Sequence, residues 1–163
     1  MKVLGIDPGT AACGYGLVEQ QGNRLRALEH GMWTTPAREA PALRLKVIYD
    51  RVAELIARHA PAAVAIEESF VGADARVALS VGQARGAVLV ACATSDVPCA
   101  EYAPARVKQV VCGYGRAEKA QVQRMVQNLL RLERRPTPDH ASDALAVAIC
   151  HALAPPLLEV VGQ

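Results

Sequence analysis

Aromatic side chains are scarce in this chain: 4% of 163 residues, with one Phe and one Trp. Bulky rings therefore do not fill the core. Ala and Val must do so, and elements built on small residues approach one another closely. A strong charge of either sign is also missing, since 18 Lys and Arg against 16 Asp and Glu leave +2. That excludes the histone-like extreme, but not a nucleic-acid partner, because net charge hides distribution. The five cysteines, at 13, 92, 99, 112 and 150, form no CxxC pair and are odd in number. This argues against a secreted disulfide framework and for small core residues in a reducing cytoplasm. A basic start followed by an apolar stretch is absent, so no signal peptide is expected. The apolar stretches are interrupted by Arg, Gln, Gly or Asp short of the ~20 residues that span a bilayer. The expectation is one soluble cytoplasmic domain over 1–163, with a short tail from about 155 and no membrane partner.

What is present begins with a branched apolar run at 2–7, ending in the turn Asp7-Pro8-Gly9-Thr10. Runs at 13–19 and 24–34 follow, joined by a Gln21-Gly22-Asn23 turn, and predict an antiparallel meander. Gly14 and Gly16 weaken the interior of the second strand. After Pro41, Leu43, Val47, Ile48, Val52, Leu55 and Ile56 recur at helical spacing, with Arg44, Asp50, Arg51 and Glu54 on the polar face. Residues 63–66 read as a short buried strand ending at Glu67-Glu68, residues 71–75 as a loop, and 76–94 as a long helix. Gly82 and Gly86 in that helix suggest a close packing partner, because each costs about 1 kcal/mol in a helix interior. A strand at 97–102 and helices at 104–112 and 117–132 come next. Thr137 is a plausible N-cap for a last helix at 138–153, with Pro138 at its first position. The order predicts an α/β fold with a five-stranded mixed sheet flanked by helices.

Three carboxylates stand at the ends of buried runs. Asp7 ends the first strand, Glu67 ends the fourth, and Asp143 lies one turn into the last helix, on the face of His140. A buried carboxylate without a partner costs several kcal/mol or takes up a proton. Several together repel unless a cation joins them. Hard oxygen ligands select Mg²⁺ or Mn²⁺, and the chemistry expected of such a set is two-metal phosphodiester hydrolysis, with two ions per active site.

The blocks GIDPGTAACGYGLVE, AIEESF, LSVGQARGAV, VKQVVCGYGRAEKAQVQRMV and HASDALAVAI follow one another as in the RuvC Holliday junction resolvases. The first block alone also resembles the opening of actin-like ATPases; the five together at these spacings are specific. The resemblance implies a ribonuclease H-like fold, a homodimer, and paired symmetric nicks in a four-way DNA junction. Those nicks leave 5′-phosphate and 3′-hydroxyl ends, in recombination and repair. It implies catalytic and metal-binding roles for Asp7, Glu67, His140 and Asp143, and RuvA and RuvB as partner motor proteins. Some family members carry Asp where this chain has His140. An imidazole there would bind the second metal or handle the leaving group's proton. Glu68 and Asp139 are expected to be bystanders.

Residues 72–132 hold eight Lys or Arg (76, 85, 106, 108, 116, 119, 124, 131) against four acids (74, 96, 101, 118). Arg76, Lys108, Arg116, Lys119 and Arg124 are candidates for phosphate contact. The family match singles out Lys108 and Lys119, with Lys119 supplying transition-state charge. It also implies that Phe70 stacks on an unpaired base at the junction centre. Gly82, Arg85 and Gly86 are the candidate dimer contact. The competing readings are a related nuclease for other nucleic acids and a non-cleaving junction binder. An actin-like ATPase is disfavoured by length.

Overall fold

The computed structural model describes residues 1–68 and 74–154. Phe70, much of the expected 71–75 loop and the tail from 155 lie outside the described residues. Five strands, β1 (Lys2–Asp7), β2 (Ala12–Gln21), β3 (Arg24–Thr34), β4 (Ala63–Glu67) and β5 (Cys99–Tyr102), form one sheet in the order β3-β2-β1-β4-β5. The first three make the expected antiparallel meander, with a register shift at Leu17/Val18. β4 and β5 extend it in parallel. The helices are α1 (Pro41–His59), α2 (Ala75–Thr94), α3 (Pro104–Cys112), α4 (Lys119–Leu129) and α5 (Asp139–Leu153).

Alternation along the strands divides the core. Leu4, Ile6, Cys13, Leu17, Val64 and Ile66 face α1 and α2. Val3, Val18 and Ala65 face α3, α4 and α5. The second layer depends on glycine. A Cβ on Gly5 would lie 2.0 Å from the Ala144 carbonyl oxygen, and one on Gly14 2.1 Å from that of His140. The α5 backbone thus rests directly on β1 and β2, with Ala141, Ala144 and Ala148 fully buried along it. The scarcity of large side chains is what this contact demands.

Four details differ from expectation. Leu43 and Val47 in α1 are 53% and 40% exposed; the buried face is the narrower set Ile48, Val52, Leu55 and Ile56. The N-cap of α5 is Pro138, without a side-chain bond. Its carbonyl receives the amides of Ala141 and Ser142, leaving Thr137 one residue too far out to cap. A Cβ on Gly82 or Gly86 would meet nothing within 4 Å, so these glycines serve no close contact among the described residues. Finally, α2 is long and apolar enough to cross a membrane by length and composition alone. Its apolarity comes from two faces: Ala84, Val88, Ala91 and Cys92 against the core, and an outward set including Leu79 and Val90. Arg85 at mid-helix is ion-paired with Glu101 on β5.

Gly14→Ala forces a methyl into a carbonyl that cannot yield without lifting α5. It is expected to cost about 3 kcal/mol in urea denaturation, the upper range for overpacking. A loss under about 0.5 kcal/mol would show that α5 does not rest on this glycine.

Candidate active site

The strand pleat places the acids. Val3, Gly5 and Asp7 share the face of β1 covered by α5, and Ala65 and Glu67 share the same face of β4. The parallel register pairs Ile6 with Ile66, so Asp7 and Glu67 emerge side by side where both strands end. Asp7 lies opposite Gly14, and the missing side chain there admits the first turn of α5. That turn brings His140 Nδ1 to 2.6 Å from Asp7 Oδ2. Asp143, three residues on, turns its carboxylate toward the N-terminus of α4. There Lys119 Nζ donates to Asp143 Oδ2 at 3.2 Å and forms an ion pair with Asp139 Oδ2 at the same distance. Asp139 also accepts from Gln123, so it anchors Lys119, a role its exposed position did not signal. Glu68 is exposed and forms no side-chain bond among the described residues; its backbone amide caps β5 at the Tyr102 carbonyl.

Burial and crowding shape the electrostatics. The Glu67 carboxyl is pushed up to about 7, first by burial, then by the charges of Asp7 and Asp143, with Lys108 and Lys119 pulling the other way. Burial also raises Asp7, against the hydrogen bond and charge of His140. Burial alone would lower Lys119, but Asp143 and Asp139 hold it above its ordinary value. Asp139, fully exposed, is lowered by its bond to Lys119.

Two cavities flank the acids. One, of about 510 Å³, is lined by Asp7, Gly9, Thr10, Arg76, Ser80 and His140, among others. The other, of about 220 Å³, is lined by Glu67, Lys108, Lys119, Val122, Asp143 and Ala146, among others. Arg76, Lys108 and Lys119 thus reach the site, one from one side and two from the other. Arg116 and Arg124 are exposed and line neither cavity. Gly82, Arg85 and Gly86, on α2, line neither cavity. Thr10, Thr35 and Ser80, bonded together beside Asp7, escaped the sequence reading. Only the Asp7-Pro8-Gly9-Thr10 turn hinted at them.

Among the described residues, no three His, Cys, Asp or Glu side chains stand ready as an ion cage. The side chains are instead paired to one another: Asp7 to His140 and Asp143 to Lys119. The chemistry of the set still fits a hard divalent cation. It offers carboxylate oxygens from three elements, and the repulsion that raises Glu67 is what a cation relieves. Asp7, Glu67, Asp143 and His140 are the groups that would hold it.

Comparison with known proteins places the chain. The family model described as "Crossover junction endodeoxyribonuclease RuvC" matches residues 3–151. The protein of that name from Moorella thermoacetica is 55% identical over 152 residues, covering 93% of this chain and 91% of its own. That from Heliobacterium modesticaldum is also 55% identical, covering 93% and 94%. Among solved structures, "T. thermophilus RuvC in complex with Holliday junction substrate" aligns with a TM-score of 0.90 at 41% identity, covering 94% of this chain and 93% of that one.

The raised Glu67 carboxyl makes a signed prediction for the metal-free protein. Its ordinary value is 4.5 and its folded value about 7, so the native state holds this proton more tightly. The resulting stability is fully present below 4.5 and is lost as pH rises through 7. Glu67→Gln removes the loss. In urea denaturation with chelator, the variant is expected to gain on wild type between about pH 5 and pH 8, by a few kcal/mol at most. A difference that does not change with pH would show that Glu67 is not the titrating group.

Proposed function

The chain belongs to the RuvC family of crossover junction endodeoxyribonucleases, and from that premise we propose that Asp7, Glu67, His140 and Asp143 are the groups with which it cuts. It is a Holliday-junction-resolving endonuclease, and the nucleases of its family depend on divalent metal. The finer reading is Mg²⁺ or Mn²⁺, two ions per site. The observation that carries it is the convergence of two strand-end carboxylates under the first turn of α5, where His140 lies 2.6 Å from Asp7.

When bound, the metal ions lower the pKa of the attacking water and stabilise charge on the leaving oxygen. The protein's own groups do the rest. Asp7 and Glu67, fixed at the ends of adjacent strands, define where the phosphate settles. The cavity holding Lys108 and Lys119 takes one side of the cleaved strand, and the cavity holding Arg76 takes the other. Lys119 balances charge gathering on the phosphate oxygens, because a preorganised cation in a partly buried site is worth more than in water. Its bonds to Asp143 and Asp139 hold it in place until then. His140 lies within hydrogen-bond reach of Asp7 and is 47% exposed, so it meets both the acids and the substrate. It would either hold the second ion or pass a proton to the leaving 3′-oxygen.

A four-way junction presents two equivalent strands, and a homodimer would place two such sites on them. The outward face of α2, with Leu79, Gly82, Gly86 and Val90 at helical spacing, is the proposed contact. Glycines with no neighbour within 4 Å leave room there for a second backbone. RuvA and RuvB as partners, and work on DNA in the cytoplasm, belong to the same proposal.

Asp7→Asn and Asp143→Asn are expected to bind a synthetic four-way junction in a mobility-shift assay. Both are expected to nick it at least ~10²-fold more slowly with Mg²⁺ or Mn²⁺. Unimpaired cleavage by either removes that residue from the site. A linear duplex and an RNA–DNA hybrid, run alongside, test the substrate class. Gly86→Leu is expected to sediment as a monomer, and a retained dimer would move the interface elsewhere.

A further inference from the structure

The carboxylate of Asp7 is fixed by His140, but its backbone leads straight into the turn at 8–11, which belongs to no regular element. That turn is gripped from both sides. Thr35, just past the end of β3, donates its hydroxyl to the Thr10 carbonyl oxygen at 2.5 Å. Its backbone amide donates to the Ala11 carbonyl at 3.3 Å. The same hydroxyl accepts from Arg44 Nε on α1 at 2.8 Å. With that lone pair taken, the hydroxyl proton points at Thr10. On the opposite side, the Thr10 hydroxyl bonds the Ser80 hydroxyl on α2. The turn itself is tight, since a Cβ on Gly9 would lie 2.4 Å from the Ala12 carbonyl oxygen.

These hydroxyls are not explained by packing. Thr35 is 8% exposed, and valine would fill the same volume at lower desolvation cost. Arg44 has no carboxylate partner among the described residues, so its ordered contact is with Thr35. Thr10 and Ser80 also line the 510 Å³ cavity that contains Asp7, His140 and Arg76. The grip therefore forms one wall of the site.

We propose that Thr35 and Ser80 are positioning residues for strand cleavage, which hold the 8–11 turn through Thr10 so that Asp7 keeps its place opposite His140. The proposal rests on the reading of Asp7 as a catalytic group. Neither residue is assigned a contact with the scissile phosphate; each acts through the turn. The arrangement also ties the Asp7 turn to α1 and α2 at once, so a displacement of either helix reaches the carboxylate.

The test is Thr35→Val beside Thr35→Ser, with Ser80→Ala beside Ser80→Thr. Thr35→Val keeps the shape and loses the bond. Its single-turnover cleavage rate at saturating protein is expected to fall roughly tenfold or more, since small misplacements of reacting groups cost that much. Its junction affinity in chelator stays within about twofold of wild type, because no DNA contact is lost. In a thermal-shift titration without DNA, it needs several-fold more Mn²⁺ for half-maximal stabilisation, as expected of a ligand set held less firmly. Thr35→Ser restores both readouts, and Ser80→Ala moves both in the same direction, with Ser80→Thr restoring them. If Thr35→Val does not fold, Ser80→Ala decides on the same measurements. Wild-type cleavage and Mn²⁺ response in both Thr35→Val and Ser80→Ala overturn the proposal. So does a Thr35→Ser variant as slow as Thr35→Val, which would make the role one of packing. Asp7→Asn, assayed in parallel, separates the two levels. If it cleaves normally, the reading of Asp7 falls and this inference with it. If it is inactive while Thr35→Val and Ser80→Ala cleave normally, only the positioning role falls.

Discussion

The contact on which the rest depends is the seating of the α5 backbone on β1 and β2. Carbonyl oxygens of Ala144 and His140 occupy the space where side chains of Gly5 and Gly14 would be. A strand–helix interface usually separates backbones by two layers of side chains; here, at two points, it separates them by none. This closeness lets a short side chain on α5 reach a short side chain on β1. His140 and Asp7 meet at 2.6 Å across 133 residues of sequence. With alanine at position 14, the first turn of α5 would have to rise, and Asp7 would lose the partner that offsets its burial. Alanines along α5 and glycines on the strands are thus one requirement written in two places.

Bringing acids together in this way creates a repulsion that the protein leaves partly unresolved. His140 and Lys119 bond directly to Asp7 and Asp143. Glu67 forms no side-chain bond among the described residues, and its carboxyl sits near 7. Burial and the neighbouring charges of Asp7 and Asp143 thus favour the protonated form of a group that a formal charge count treats as fully negative. Such a site favours cation binding without being closed around a cation beforehand. The same pairing revises the basic segment at 72–132: Lys119 is engaged by Asp139 and Asp143, which lie outside that segment, so its excess charge overstates what is free for phosphate. Arg76 and Lys108, which line the two cavities, are better placed than Arg116 or Arg124.

Much of this was legible in the sequence, and the reasons are local. Short continuous apolar runs ending in a carboxylate gave both the strands and the acids, because a sheet's end is where a buried run can release a charge. The small-residue core foretold close packing. The five motif blocks foretold the family, which the 55% identity of two relatives bears out. Less legible were the partners within the chain. Gly82 and Gly86 look like Gly5 and Gly14 in sequence, yet one pair meets open space and the other a carbonyl. Only the tertiary structure distinguishes a glycine that admits a neighbour within the chain from one that lies on an outer face. Thr137 preceded a proline and resembled a cap, but the helix begins one residue later than a cap at that position requires.

The Thr10, Thr35 and Ser80 cluster shows a more general limit. Its members lie 25 and 70 positions apart, on elements whose periodicity concerns burial. Ser and Thr are common in turns and on helices, so no spacing rule marks three of them as neighbours. Their significance follows from what holds the backbone just after Asp7. A strand is held by its ladder and a helix by its turns, but the residues after Asp7 have neither. Asp7 thus stands at the last ladder position of β1, where the paired strand gives way to a turn that no ladder holds. Hydroxyls are suited to repairing that weakness: one hydroxyl both accepts and donates, so a single Thr35 can tie α1 to the turn. The glycines and alanines bring the site's elements together, and the hydroxyls fix the loop that joins them.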